Sequence, residues 1–225
     1  MASKSILMSI QPQWVAKILN GEKTIEVRKK FPKNYVGWVY IYCTKTKPNA
    51  HIWTMKVKEK PYKVIFSKTQ YQQETDLDEF MNVEFIEKYP QYAGERIICH
   101  PEHINGYVVA RFWCDKVEHF EFETISRDID GYWFDNGDMV DKKLLKQSCL
   151  TYDEFYDYIK FGEGYAIHIT RLEIFDEPML ITMFRKVGFR KFLNNDKPNR
   201  MSLLETLKKY SITKAPQSWQ YIEWD

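Results

Sequence analysis

Hydrophobic positions fall in short runs along this chain, and the period of each run predicts an element. Ile6 to Ile10 is almost wholly apolar, the pattern of a strand covered on both faces, and Pro12 follows at a position suited to the first turn of a helix. Trp14, Val15, Ile18 and Leu19 recur at helical spacing, and Asn20-Gly21 supplies a left-handed stop. The same reasoning predicts helices over Pro12 to Asn20, Asp76 to Lys88, Thr151 to Phe161 and Ser202 to Tyr210. The last three begin with capping boxes, Asp76 with Glu79, Thr151 with Glu154 and Ser202 with Glu205.

Alternation of period two marks the strands. Val39, Ile41 and Cys43 oppose Tyr40, Tyr42 and Thr44; Val108, Ala110, Phe112 and Cys114 oppose Tyr107, Val109, Arg111 and Trp113. Phe120 to Phe122 extends the second of these. Tyr165, Ile167 and Ile169 oppose Ala166, His168 and Thr170, and the tail from Pro216 to Trp224 is extended. Lys56 to Lys58 and Tyr62 to Phe66 pair as a hairpin, whereas Ser126 to Ser148 reads as irregular. The expected class is a single α+β domain over residues 1–225.

Gly21-Glu22-Lys23-Thr24-Ile25-Glu26-Val27-Arg28 joins the first helix to a short strand. Alternation sends Ile25 and Val27 into a core and places Thr24, Glu26 and Arg28 on the other face, with Lys23 ahead of the strand in the turn after Gly21. Glu26 and Arg28 are then neighbours, and the carboxylate can fix the guanidinium fork for an external acceptor. The same spacing also suits a solvated, charged edge strand.

The pattern Gly-x-Lys-x-x-Glu-x-Arg, met by Gly21, Lys23, Glu26 and Arg28, resembles the signature of the ASCH (activating-signal-cointegrator homology) family. Ile6 to Pro12, Val39 to Tyr42, Gly164 to Ile169 and Pro216 to Trp219 are similar to family segments in the same order, so the resemblance covers roughly half the chain. It implies a PUA-like small β-barrel, mixed or antiparallel, with flanking helices and two insertions at about 48–105 and 123–150. It also implies an RNA- or nucleotide-binding cleft built on Lys23, Glu26 and Arg28, and Ser9, Thr24, Thr44 and Tyr165 are added as lining candidates from strand ends expected to converge.

A bacterial branch that resembles the family hydrolyses an acyl group from a modified cytidine with a lysine, a threonine and a glutamate. Lys23 matches that lysine, and Lys23 and Glu26 are the catalytic candidates under this alternative. The branch's threonine falls at Glu26, so the nucleophile is missing in register, and Thr24 stands in only if the strand is shifted. Ribonuclease action is a further alternative. Binding is preferred to catalysis because an ion-paired recognition site needs no lysine of lowered proton affinity.

Charge and composition refine this picture. Thirty-three Lys and Arg against 31 Asp and Glu give a net charge of +2, which excludes a surface wholly committed to duplex nucleic acid. Local basic patches remain: Lys29, Lys30 and Lys33 beside Arg28, and Arg185, Lys186 and Arg190 interleaved with the rings of Phe184, Phe189 and Phe192. These are the candidate nucleic-acid contacts, although the rings also suit anchors for a basic surface segment. The acidic residues around Asp76 to Glu87 offer a protein-interaction surface as a second alternative, with no partner identified.

Cys99, His100, His103 and Cys114 lack a paired Cys-x-x-Cys, so no metal and no cofactor is expected. His168 reads as a strand residue with a satisfied ring. No Gly-x-Ser-x-Gly elbow or phosphate loop is present, which leaves serine-nucleophile and triphosphatase chemistry unsupported. Widely spaced cysteines, no leader-like start and no long apolar run lead to the expectation of a cytoplasmic protein with no membrane contact.

Overall fold

The computed structural model describes residues 4–45, 51–57, 60–67, 97–100, 104–122, 125–128, 131–134, 142–160, 162–193 and 203–223. The chain opens with β1 (Ser5–Ile10), α1 (Pro12–Leu19), β2 (Ile25–Arg28) and β3 (Gly37–Cys43). It continues through β4 (His51–Val57), β5 (Lys60–Ser67), β6 (Ile97–His100), β7 (Val108–Cys114) and β8 (Val117–Phe122). A hairpin of β9 (Ile125–Asp128) and β10 (Gly131–Phe134) precedes α2 (Lys142–Ser148) and α3 (Tyr152–Ile159). Then come β11 (Gly162–His168), β12 (Thr170–Met179), β13 (Arg185–Lys186), α4 (Phe189–Leu193), α5 (Leu203–Tyr210) and β14 (Trp219–Glu223).

The class is mixed α+β. A six-stranded sheet has the order β12-β7-β3-β1-β14-β13, in which β1 and β3 are parallel and the other pairs antiparallel. A three-stranded antiparallel sheet has the order β2-β11-β8. Within the first expected insertion, β4 pairs with both β5 and β6, and the β4–β5 hairpin includes Lys56, Val57 and Tyr62 to Phe66 of the expected one, with Lys58 outside the described residues. The expected helix over Asp76 to Lys88 lies outside the described residues, as do its cap and the acidic surface there. The stretch expected to be irregular, 126–148, instead carries the β9–β10 hairpin and α2.

Among the described residues no barrel closes, which corrects the expected small β-barrel. The two main sheets meet at corners where one strand leaves one sheet and the next joins the other. β7 passes to β8 through Asp115-Lys116, and β11 passes to β12 through Ile169, whose N–H donates to the Thr24 carbonyl at 2.9 Å. β2 ends the small sheet, and β1 has no free edge to pair with it because β3 and β14 already flank it. A side chain links the two instead: Arg28 Nη2 reaches the Ser9 carbonyl at 2.7 Å.

β1 lies inside the larger sheet with apolar residues on both faces. Ile6, Met8 and Ile10 join a core with Val15, Ile18, Val39, Ile41, Phe112 and Ile167, while Leu7 joins Tyr40, Tyr42, Phe184 and Ile222 on the reverse face. α1 has Pro12 at its first position, as expected, and ends in a Schellman turn. Glu22 N–H donates to Lys17 O and Gly21 N–H to Ile18 O, each at 2.9 Å, with Gly21 at φ +74°, a conformation that favours glycine.

A third cluster covers the outer face of the small sheet, where Ile25, Val27 and Ala166 meet Phe155 and Ile159 of α3. Burial holds the Cys114 thiol at about 12, well above its ordinary range. No helix among the described residues is long and apolar enough to cross a membrane.

α3 starts where the sequence places its cap. Glu154 N–H donates to Thr151 Oγ1 at 3.2 Å, and Glu154 Oε2 accepts from Thr151 N–H at 2.9 Å. Thr151→Ala is expected to cost about 1 kcal/mol through the orphaned helix donors, lowering the urea midpoint with an unchanged slope.

Candidate functional site

Glu26 lies between two cations in a nearly dry environment. Its Oε2 is 3.3 Å from Lys23 Nζ and its Oε1 is 2.9 Å from Arg28 Nε; the side chains are 8%, 2% and 12% exposed in the order Glu26, Lys23, Arg28. Register explains the burial. Glu26 opposes Ile167 and Arg28 opposes Tyr165 across the β2–β11 ladder, so both point to the inner face of the small sheet. Ile25 and Val27 take the other face, as alternation requires, and the solvated edge strand is excluded because both faces are covered.

Lys23 precedes the strand, as expected, but its side chain is buried. The turn after α1 aims its ammonium at the end of α2, where it donates to the Ser148 carbonyl at 2.6 Å. Thr24 N–H takes the Gln147 carbonyl at 2.9 Å, so two orphan acceptors of α2 are met by this short segment. A cation at a helix C-terminus also complements the helix dipole. Lys23 Nζ lies 5.2 Å from the Trp14 ring centroid as well, within cation–π range. Its contacts are those of a structural cation rather than of a proton donor awaiting substrate.

Arg28 is fixed from two sides. Nη2 donates to Ser9 O, while the Nε contact with Glu26 is ionic: at 2.9 Å the N–H is not aligned on the oxygen, and Nε has no aligned acceptor. Tyr158 stands beside the guanidinium. Burial raises its pKa and the neighbouring Arg28 charge lowers it, with the rise prevailing, so the ring keeps a neutral hydroxyl.

These side chains wall a cavity of about 620 Å³, within the size range of small-molecule sites. Ser9, Lys23, Glu26, Arg28 and Thr44, all singled out from the sequence, line it together. Tyr165 does not: it is 4% exposed within the core, and its hydroxyl donates to Glu163 Oε2 at 3.1 Å. Thr24 is exposed, is not part of the lining, and uses its backbone to join α2 and Ile169. The other walls come from α1, with Gln13 and Trp14, and from α3, with Glu154, Asp157 and Tyr158. The α3 residues escaped the sequence reading because no spacing rule connects them to a motif about 130 positions earlier. The capping box was the signal that fixed where that helix begins.

The expected basic contacts divide into two places. Lys29, Lys30 and Lys33 are exposed on the turn after β2; Lys29 Nζ lies 5.6 Å from the Tyr158 ring centroid at the cavity, and Lys33 is 4.0 Å from Glu163. Trp219 donates its indole N–H to the Lys30 carbonyl at 2.7 Å and packs on Phe31, so it anchors this turn. Arg185 and Lys186 form the edge strand β13, and Arg190 follows on α4. Phe184 and Phe189 are buried beneath them, which makes these rings anchors of the segment.

His168 Nε2 pairs with Glu118 Oε1 at 3.1 Å, the satisfied strand histidine the sequence suggests. No cluster able to hold a metal occurs among the described residues, and the Cys99 and His100 side chains and His103 lie outside them.

No family model matches the sequence, and no curated protein matches it either. Crystal structures similar to this one include those of the ASCH protein from Zymomonas mobilis and of two single-substitution mutants of it. Each is 12% identical in sequence, and the match covers 92% of this chain and 93%, 96% and 94% of theirs, with TM-scores of 0.39, 0.40 and 0.40.

Removing the central charge tests the site's architecture. Glu26→Gln leaves two buried cations without a counter-ion and is expected to lower stability by about 3 kcal/mol in urea denaturation. A loss below about 0.5 kcal/mol would mean that solvent already screens the cluster.

Proposed function

We propose that this protein binds RNA or a nucleotide-like ligand, with an unpaired base entering the cavity and backbone phosphates meeting the basic turn outside it. One observation carries the reading: a guanidinium braced by Glu26 and Ser9 faces a small-molecule-sized cavity that also has the Tyr158 ring in its wall. A fixed fork recognises a planar acceptor edge, and an adjacent ring offers a stacking surface.

Electrostatics assigns the two parts of such a ligand. Glu26, Glu154 and Asp157 outnumber Lys23 and Arg28 in the cavity wall, so a phosphate gains little by entering. Lys29 is exposed beside the Tyr158 ring of that wall, and exposed Lys30 follows it in sequence. Catalysis is less well supported, because Lys23 is already occupied by Ser148, Glu26 and Trp14.

Titration of nucleosides and short single-stranded RNAs at two salt concentrations tests the proposal. Nucleoside affinity is expected to change little with salt, whereas RNA affinity falls, and Lys29→Ala with Lys30→Ala should flatten the log–log slope by roughly 0.7 per lost contact. Arg28→Lys should weaken both ligands about tenfold, since a point charge does not reproduce the fork. If no RNA, DNA or nucleotide binds at low salt, the protein-interaction alternative takes its place. Turnover of acylated cytidines or cleavage of RNA by the purified protein would replace binding with hydrolysis as its activity.

A further inference from the structure

Three carboxylates line the cavity, and they are not equivalent. Glu26 is taken up by Lys23 and Arg28, and Glu154 by the Thr151 N–H and hydroxyl at the start of α3. Asp157 sits one turn further along α3, exposed at the cavity wall, next to Tyr158, and no described residue gives it a hydrogen bond or an ion pair. Its helix is fixed from behind, where Phe155 and Ile159 are 1% and 2% exposed against β2 and β11. The carboxylate is therefore carried on a packed helix, and no described protein group takes up its acceptor oxygens.

We infer that Asp157 selects the base, and that the ligand is a nucleobase presenting an exocyclic amino group. This rests on the proposal that the cavity holds a base. An ionised carboxylate only accepts hydrogen bonds and a guanidinium only donates them, so Asp157 and Arg28 require a ligand edge that carries both donors and acceptors. An amino group beside a ring nitrogen or a carbonyl provides that edge. A base with a carbonyl in place of the amine sets two acceptors against each other at Asp157, and its binding strips water from the carboxylate without replacing the lost hydrogen bond.

The test compares nucleosides that differ at the amine: guanosine with inosine, adenosine with purine riboside, and cytidine with uridine. Calorimetric titration of the wild type is expected to favour the amine-bearing member of at least one pair by about ten- to a hundredfold. Asp157→Asn keeps the shape but offers a donor as well as an acceptor, so that preference should fall to about twofold or less. Asp157 is exposed, and an unchanged thermal midpoint in the variant separates loss of selectivity from loss of fold. Equal binding of both members of every pair by the wild type, or a preference that survives Asp157→Asn, overturns the inference while base binding stands. Binding of no nucleoside at all overturns both.

Discussion

One carboxylate shared by two cations, away from water, is the constraint on which this site depends. Glu26 is what allows Lys23 and Arg28 to be buried together, and each cation then ties β2 to a different part of the molecule. Lys23 reaches the end of α2, and Arg28 reaches β1. A buried ion triad of this kind contributes little net stability, since desolvation offsets most of the Coulomb attraction. Its effect is to set geometry: the two cations hold β2 against β1 and the end of α2, and all three side chains line the cavity.

Much of the fold was legible because local rules acted without competition. The run Ile6 to Ile10, the Pro12 start and Gly21 stop of α1, and the Thr151–Glu154 box all describe interactions within a few residues, and each lies where its pattern placed it. Errors arose where tertiary structure overrides periodicity. Val108 was assigned to the face of Ala110, Phe112 and Cys114, but an irregularity in the β3–β7 register leaves Val109 without a partner opposite it and sends Val108 to the reverse core. The strand signal through Thr170 was read as ending there, whereas the chain turns a corner at Ile169 and runs on to Met179 in the other sheet. Neither event leaves a mark in a hydrophobic pattern.

The candidate site divides in the same way. Lys23, Glu26 and Arg28 could be grouped because they lie within six positions of one another, and Ser9 and Thr44 because strand ends converge at the same end of the sheet. Tyr165 was added from a strand end expected to converge on the site, but it packs in the core with its hydroxyl on Glu163 and is not among the residues that line the cavity. The α3 wall depends on packing between segments more than a hundred positions apart, which no single stretch of sequence encodes.

The pairing of β1 with β14 has a consequence for how this protein assembles. Ser9 Oγ donates to the Pro216 carbonyl across 207 positions, and its N–H donates to the Ser218 carbonyl. Ser9 is also the residue whose own carbonyl steadies Arg28. Such contacts form only after a very long loop has closed, and their entropy cost falls before any of their benefit is gained. The strand that steadies the guanidinium is itself held by residues more than 200 positions later. Residues near position 9 and near position 217 therefore meet at the cavity wall, where Ser9 and Gln217 both line it, so the wall is built from segments that sequence distance keeps far apart.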